Sequence, residues 1–271
     1  MAAVRVIARL DVKGPNVVRG IHLEGLRVVG TPEEMAVRYA DEGIDEIIFI
    51  DTVATLYGRN NMLPVVERTA ERVFVPMTVG GGVRTLANVD EILRAGADKV
   101  TINSQAVRTP EFISEVANAY GSQCVVATIE AKRRGGGARG WEVLIENARE
   151  RTGLDALEWA GRLESLGAGE ILLTSIDSDG KKSGCDLELT RMVSEAARIP
   201  VIASGGPGKP SHVVDAIASG RANAVALGTL LHFRLAGVRD VKNEMQRAGI
   251  SIRPLPDPEV WVDAASRAGE P

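Results

Sequence analysis

The stretch Val75-Pro76-Met77-Thr78-Val79-Gly80-Gly81-Gly82 returns as Ile199-Pro200-Val201-Ile202-Ala203-Ser204-Gly205-Gly206, an offset of 124 residues. The segments that follow reach Gly96 and Gly220 at the same offset. One inserted residue later, Val100-Thr101-Ile102-Asn103-Ser104 aligns with Val225-Ala226-Leu227-Gly228-Thr229. Near the N-terminus, Ile7-Ala8-Arg9-Leu10-Asp11-Val12-Lys13 aligns with Val126-Ala127-Thr128-Ile129-Glu130-Ala131-Lys132, which pairs Asp11 with Glu130. A chain that repeats itself at half its length is two copies of one array of elements. The halves are residues 4–120 and 124–240.

Each half contains four short apolar runs separated by segments of helical period. The eight runs are Val4–Asp11, Glu46–Asp51, Val75–Val79, Lys99–Asn103, Cys124–Glu130, Glu170–Thr174, Pro200–Ala203 and Ala224–Gly228. Thr31-Pro32-Glu33-Glu34 and Thr109-Pro110-Glu111 read as helix starts, and Gly43, Gly96, Gly167 and Gly220 as helix ends. Near-continuous apolar strands alternating with helices predict a parallel sheet covered on both faces. Eight such units in about 250 residues predict a closed (β/α)8 barrel, of the α/β class. An open nucleotide-binding sheet would not produce the two-fold repeat. The barrel is expected over residues 1–252, with a C-terminal extension at 253–271.

Charge and composition exclude several functions. Lys+Arg 32 against Asp+Glu 36 gives a net charge of −4, so no global positive field draws nucleic acid or an anionic membrane. No apolar run approaches the roughly 20 residues of a membrane span. Met1–Ile7 runs straight into a strand pattern without the features of a signal peptide, which predicts a cytoplasmic protein. Cys124 and Cys185 are too few for a disulfide framework or zinc cluster; the first is expected in the core and the second as a bystander. His22, His212 and His232 match no ligand spacing, and no nucleophile elbow is present. No metal or cofactor is predicted.

In a barrel of this kind the C-terminal strand ends carry the chemistry. Those ends hold Asp11, Asp51, Gly80 to Gly82, Asn103 and Ser104, Glu130, Thr174 and Ser175, Ser204 to Gly206, and Gly228 and Thr229. Glycines after the third and seventh strands allow ligand atoms to approach the backbone, and adjacent N–H groups attract anions. One Gly-Gly pair can simply turn the chain, but the repeat predicts two phosphate sites. The first comprises Gly81, Gly82, Asn103 and Ser104; the second comprises Gly205, Gly206, Gly228 and Thr229, with Thr174 at a neighbouring strand end. Asp11 and Glu130 would face each other across the mouth as acid and base. Lys13 and Lys132, two residues on, are the alternative partners that would make them mere ion pairs. At the opposite strand ends, Arg5, Glu46, Lys99 and Glu170 can converge into a charged ring, by itself no more than a stabilising layer.

Together these residues resemble the cyclase subunits of imidazole glycerol phosphate synthase, in the histidine-biosynthesis barrel family. The similarity runs from about Val4 to Ile252 through Leu10-Asp11-Val12, Thr78 to Gly82, Gly96 to Val100, Gly121 to Cys124, Gly167 to Ser175 and Ala203 to Gly206. The resemblance implies a heterodimer with a separate glutaminase docked on the N-terminal face, with Asp98 and Gln123 near the rim. Ammonia would pass Arg5, Glu46, Lys99 and Glu170 as a gate. It would then convert a bisphosphorylated ribulosyl formimino aminoimidazole carboxamide ribotide to imidazole glycerol phosphate and aminoimidazole carboxamide ribotide. Asp11 matches the family's first catalytic aspartate.

The departures cluster at the mouth. Glu130 stands for the second catalytic aspartate, Arg19 for a lysine of the first loop and Arg9 for a cysteine. Thr31-Pro32 replaces an Asp-Pro helix start, and Tyr57-Gly58-Arg59-Asn60-Asn61 is unusual. This pattern keeps open a paralogue that aminates a sugar-derived substrate in surface polysaccharide synthesis, and a silent scaffold that only activates a glutaminase. The two anion cradles argue against the scaffold. Arg133 to Gly140 reads as a hairpin beside the site rather than a phosphate or RNA contact, and the proline-broken tail with Trp261 carries no assigned function.

Overall fold

The computed structural model describes residues 3–54, 62–136 and 139–255. The unusual Tyr57 to Asn61 segment and Trp261 lie outside the described residues. Eight parallel strands close into a barrel in the order β1 (Arg5–Lys13), β4 (Glu46–Asp51), β5 (Met77–Gly80), β6 (Lys99–Ile102), β7 (Val125–Arg133), β10 (Glu170–Ser175), β11 (Val201–Ser204) and β12 (Ala224–Leu227). The ring shuts between β1 and β12, where Arg5 sits opposite Ala224 and Ala8 opposite Leu227. The eight apolar runs in the sequence are these strands, to within one to three residues at their ends.

Each half also carries an antiparallel hairpin that hydrophobic patterning does not reveal. β2 (Asn16–Ile21) and β3 (Glu24–Gly30) extend β1, while β8 (Trp141–Ile145) and β9 (Glu150–Asp155) extend β7. The hairpins occupy equivalent places after the first and fifth barrel strands, so the repeat extends to the loops. The connection through Arg133 and Gly140 turns back as a hairpin, with Arg133 paired to Trp141.

The helices are α1 (Pro32–Asp41), α2 (Leu63–Ala70), α3 (Leu86–Arg94), α4 (Ser104–Arg108), α5 (Glu111–Tyr120), α6 (Ala156–Ser165), α7 (Leu187–Ala196), α8 (Ser211–Ala218), α9 (Thr229–His232) and α10 (Val238–Arg247). Their buried residues recur at helical spacing, as with Val89 and Ile92 in α3, and pack on the outward-facing strand residues. Each fully buried Val, Leu or Ile contributes about 1.5–3 kcal/mol. Helix ends correct two local expectations. Thr31 spends its hydroxyl on Glu34 (2.7 Å) rather than on a backbone N–H. After α8 the left-handed residue is Arg221; Gly220 is needed because a Cβ there would lie 2.5 Å from the Ala216 carbonyl oxygen. Cys185, not Cys124, packs against the main core; Cys124 is half-buried, with its Sγ 3.6 Å from the Asp98 carbonyl.

Inside the barrel, alternate residues of each strand stack in layers. Arg5, Glu46, Lys99 and Glu170 form the lowest. Above them Ile7, Ile48, Val126, Leu172, Ile202 and Ala224 form a separate apolar cluster. Below, Asp45 receives Lys242 Nζ (2.6 Å), Arg253 Nε (2.8 Å) and the Val6 amide (2.8 Å), tying α10 and the C-terminal segment to β1. No helix among the described residues is long and apolar enough to cross a membrane.

Candidate active site at the barrel mouth

β1 and β7 lie diametrically opposite in the eight-stranded ring, and the alternation that points Arg5 and Ile7 inward also points Arg9 and Asp11 inward. Asp11 and Glu130 therefore face the mouth from opposite walls, and both are buried. Their surroundings differ sharply. Asp11 accepts hydrogen bonds from Arg9 Nε (2.9 Å) and Arg19 Nη1 (2.8 Å). Burial favours its neutral form, but the two guanidiniums outweigh that and hold the carboxyl below its ordinary value. Glu130 accepts a hydrogen bond from the Ala148 amide (2.8 Å). Burial, reinforced by the Asp11 charge, pushes it up to about 7 against the opposing pull of Arg9. Lys13 is exposed and pairs with neither acid.

The first of the two predicted phosphate cradles is open. Gly81 and Gly82 take left-handed backbone (φ +100° and +72°), and a Cβ on Gly81 would lie 2.3 Å from the Asp51 carbonyl oxygen. Only glycine allows the chain to pass that closely. With Asn103 and Ser104 they line a cleft that also contains Glu130, Thr101 and Thr128. Arg84, Arg108 and Arg149 stand around it together with Asp51 and Glu146, and Arg108 is paired with Glu146 (2.8 Å). Ser104 Oγ accepts the Glu146 amide (3.1 Å), and Thr101 and Thr128 share a hydrogen bond of 2.5 Å.

The second cradle is built but filled. Gly205 and Gly206 are left-handed (φ +87° and +114°), and Gly228 and Thr229 follow one strand later. Arg19, reaching in from β2, donates from Nε to Thr229 Oγ1 (2.9 Å) and from Nη2 to Asp179. Its Cζ lies 3.1 Å from where a Gly228 Cβ would be. Arg9 Nη1 donates to Thr174 Oγ1 (2.8 Å) and Ser204 Oγ (3.2 Å), leaving little open space beside the glycines. Thr174 thus holds Arg9.

Sequence reasoning missed the pairing of Arg9 and Arg19 with Asp11, and it missed Asp179, Tyr39 and the role of His232. Burial and the Arg19 charge push His232 down to about 4, so its ring is neutral. Its Nε2–H donates to the Arg9 carbonyl (2.9 Å) and its Nδ1 accepts from the Tyr39 hydroxyl (2.8 Å), fixing the backbone from which Arg9 springs. The available signal was the spacing of Thr229 and His232, one helical turn apart. Among the described residues no cluster of His, Cys, Asp and Glu is placed to hold a metal.

At the other end the predicted ring is closed. Arg5 bridges Glu46 (2.7 Å) and Glu170, and Lys99 bridges Glu46 (3.2 Å) and Glu170 (2.8 Å). Thr78 adds a hydrogen bond to Glu46 (2.7 Å). Arg5 and Lys99 hold Glu170 below its ordinary pKa despite its burial. Asp98 and Gln123 are exposed at this end.

Comparison with known proteins agrees with this architecture. The model of the family described as histidine biosynthesis protein matches residues 5–236. The imidazole glycerol phosphate synthase subunit HisF of Legionella pneumophila is 57% identical over 209 residues, 77% of this chain and 98% of that protein. The same subunit of Synechococcus sp. (strain CC9311) is 49% identical over 263 residues, covering 96% and 99%. That of Prochlorococcus marinus (strain MIT 9211) is 48% identical over 257 residues, covering 95% and 100%.

Proposed function

We propose that this chain, which belongs to the histidine biosynthesis protein family, is the cyclase subunit of an imidazole glycerol phosphate synthase. The observation that carries the reading is the pair of unlike acids facing each other over an anion cradle, at the end of the barrel opposite a closed charged ring. On this reading a separate cytoplasmic glutaminase docks on the face of Arg5, Glu46, Lys99 and Glu170 and delivers ammonia there. The apolar layer above the ring favours neutral ammonia over the ammonium ion, because an unpaired charge in such surroundings is costly.

The substrate is the bisphosphorylated ribulosyl formimino aminoimidazole carboxamide ribotide, with one phosphate on Gly81, Gly82, Asn103 and Ser104 and the other directed to Gly205, Gly206, Gly228 and Thr229. Ammonia attacks its ketose carbonyl, whose oxygen must gain protons to leave as water. Glu130, titrating near neutrality, is suited to give and retake a proton, whereas Asp11 stays ionised and stabilises positive charge on the nitrogen. Ring closure and C–N cleavage, the step of a carbon–nitrogen lyase, release imidazole glycerol phosphate and aminoimidazole carboxamide ribotide.

One observation favours a second reading. Arg9 and Arg19 together occupy both oxygens of Asp11. That arrangement suits a related subunit that aminates a sugar-derived substrate of surface polysaccharide synthesis. Steady-state assays with the ribotide and ammonium salt separate the two. The cyclase reading expects turnover in the wild type and its loss in Asp11→Asn and Glu130→Gln, with Glu130→Asp active. A well-folded wild type without turnover overturns it in favour of the second.

A further inference from the structure

We propose that Arg19 is a specificity-determining residue of the second cradle: it holds that cradle shut in the free protein, and a phosphate end of the substrate takes over its guanidinium and thereby releases Asp11. The inference rests on the phosphate-bearing substrate proposed above. All three guanidinium nitrogens of Arg19 donate, Nε to Thr229, Nη1 to Asp11 and Nη2 to Asp179. The group lies against Gly228, where the phosphate is expected. A ligand cannot enter while Arg19 keeps this position, and Asp11 cannot act freely while Arg19 holds one of its oxygens.

The class of ligand able to reverse this follows from charge. Arg19 already has two carboxylate partners in a buried setting, so a newcomer must offer comparable charge and acceptor geometry. A phosphate monoester carries about −1.5 to −2 charge and three acceptor oxygens, and it matches the planar fork of arginine. A carboxylate has one charge and two oxygens and would exchange one weaker partner for two; a hydroxyl offers no charge. The cradle therefore discriminates by the chemistry of the substrate's far end, through competition with internal carboxylates.

The strand that carries Arg19 is joined to the barrel by a short ladder. β2 pairs with β1 through two residue pairs only, Val12 with Val17 and Lys13 with Asn16, and its pairing with β3 changes register between Arg19 and Ile21. Beyond β1, the hairpin is tied to the loop after β10, where the His22 amide donates to the Asp179 carbonyl (3.0 Å) and the His22 ring bonds the Ile176 carbonyl (2.8 Å), and to Asn147, whose amide donates to the Leu23 carbonyl (3.2 Å). A movement of Arg19 would thus pass to both of its acidic partners.

The test follows the Nε–Hε cross-peak of Arg19 in nitrogen-15-labelled protein. The peak is identified by its loss in Arg19→Lys and independently by its shift in Thr229→Val, which removes the acceptor. The bisphosphorylated ribotide without ammonium, inorganic phosphate and acetate are titrated in turn, with calorimetry on the same samples. The expected result is a saturable shift of the Arg19 peak with ribotide and with phosphate, and none with acetate at equal concentration. Ribotide that binds by calorimetry while the peak stays in place overturns the handover and leaves the phosphate reading standing. Absence of binding heat defeats the phosphate reading and the handover with it. Acetate moving the peak as phosphate does overturns the selectivity.

Discussion

Replacing Glu130 by glutamine isolates the cost of a buried carboxylate. In the folded protein Glu130 titrates near about 7, against an ordinary value of 4.5. Each tenfold difference in proton affinity is about 1.36 kcal/mol, so the folded state favours the protonated group by roughly 3 kcal/mol in full. Because the folded value is raised, this stability is complete below pH 4.5 and disappears as pH rises through 7. About 2.5 kcal/mol of it is lost between pH 5 and pH 8. Glutamine keeps the shape, accepts from the Ala148 amide and never ionises. Urea unfolding of wild type and Glu130→Gln at both pH values should show the variant gaining about 2.5 kcal/mol on the wild type from pH 5 to pH 8. A stability difference independent of pH would refute the argument, because Glu130 would then already be ionised at pH 5 and unsuited to act as an acid near neutrality.

Other expectations concern the two ends of the barrel. Lys99→Ala opens the ring at Glu46 and Glu170; it should lower the fraction of hydrolysed glutamine recovered in product while leaving turnover with ammonium salt little changed, and equal loss with both would make the ring purely structural. Ser104→Ala should weaken inorganic phosphate at the first cradle by about 1 kcal/mol, roughly fivefold, as read by calorimetry. Lys242→Ala leaves Asp45 with Arg253 and the Val6 amide, and should cost about 3 kcal/mol in urea unfolding. Unchanged stability would show that those two partners suffice. Gly206→Val is a poor probe of the second cradle, since a Cβ there would lie 2.0 Å from the Gly184 carbonyl oxygen and disturb that loop.

The barrel was legible because its strands are buried on both faces, so each reads as an apolar run whichever residues point inward. The ring was legible too, since Arg5, Glu46, Lys99 and Glu170 stand at or near strand starts whose register a closed barrel fixes. Of the hairpins only the one after β7 was legible, from the turn residues Arg133 to Gly140; the first was not, because β3 is largely exposed along Glu24–Gly30 and lacks the alternation of a half-buried strand. Arg19 sits on that first hairpin. Its meeting with Asp11, Asp179 and Thr229 needs the β2 hairpin, the loop after β10 and α9 brought together, and no local spacing encodes that. Arg9 was conspicuous as a departure at a strand end, and its parity with Arg5 and Asp11 puts it on the inner wall, but nothing in its neighbours indicated that it would pair with Asp11 and Thr174.

The apolar layer of Ile7, Ile48, Val126, Leu172 and Ile202 has a consequence for proton accounting. A proton travels by hopping along donors and acceptors, and these five side chains supply neither. On the walls these five line, a small neutral molecule can pass while a proton has nothing to hop along; the hydroxyls of Thr78, bonded to Glu46, and of Thr101 and Thr128, bonded to each other, stand on the remaining wall. A proton moving between the ring and the mouth is therefore confined to the threonine side of the barrel, which runs from Glu46 toward the cleft that holds Glu130.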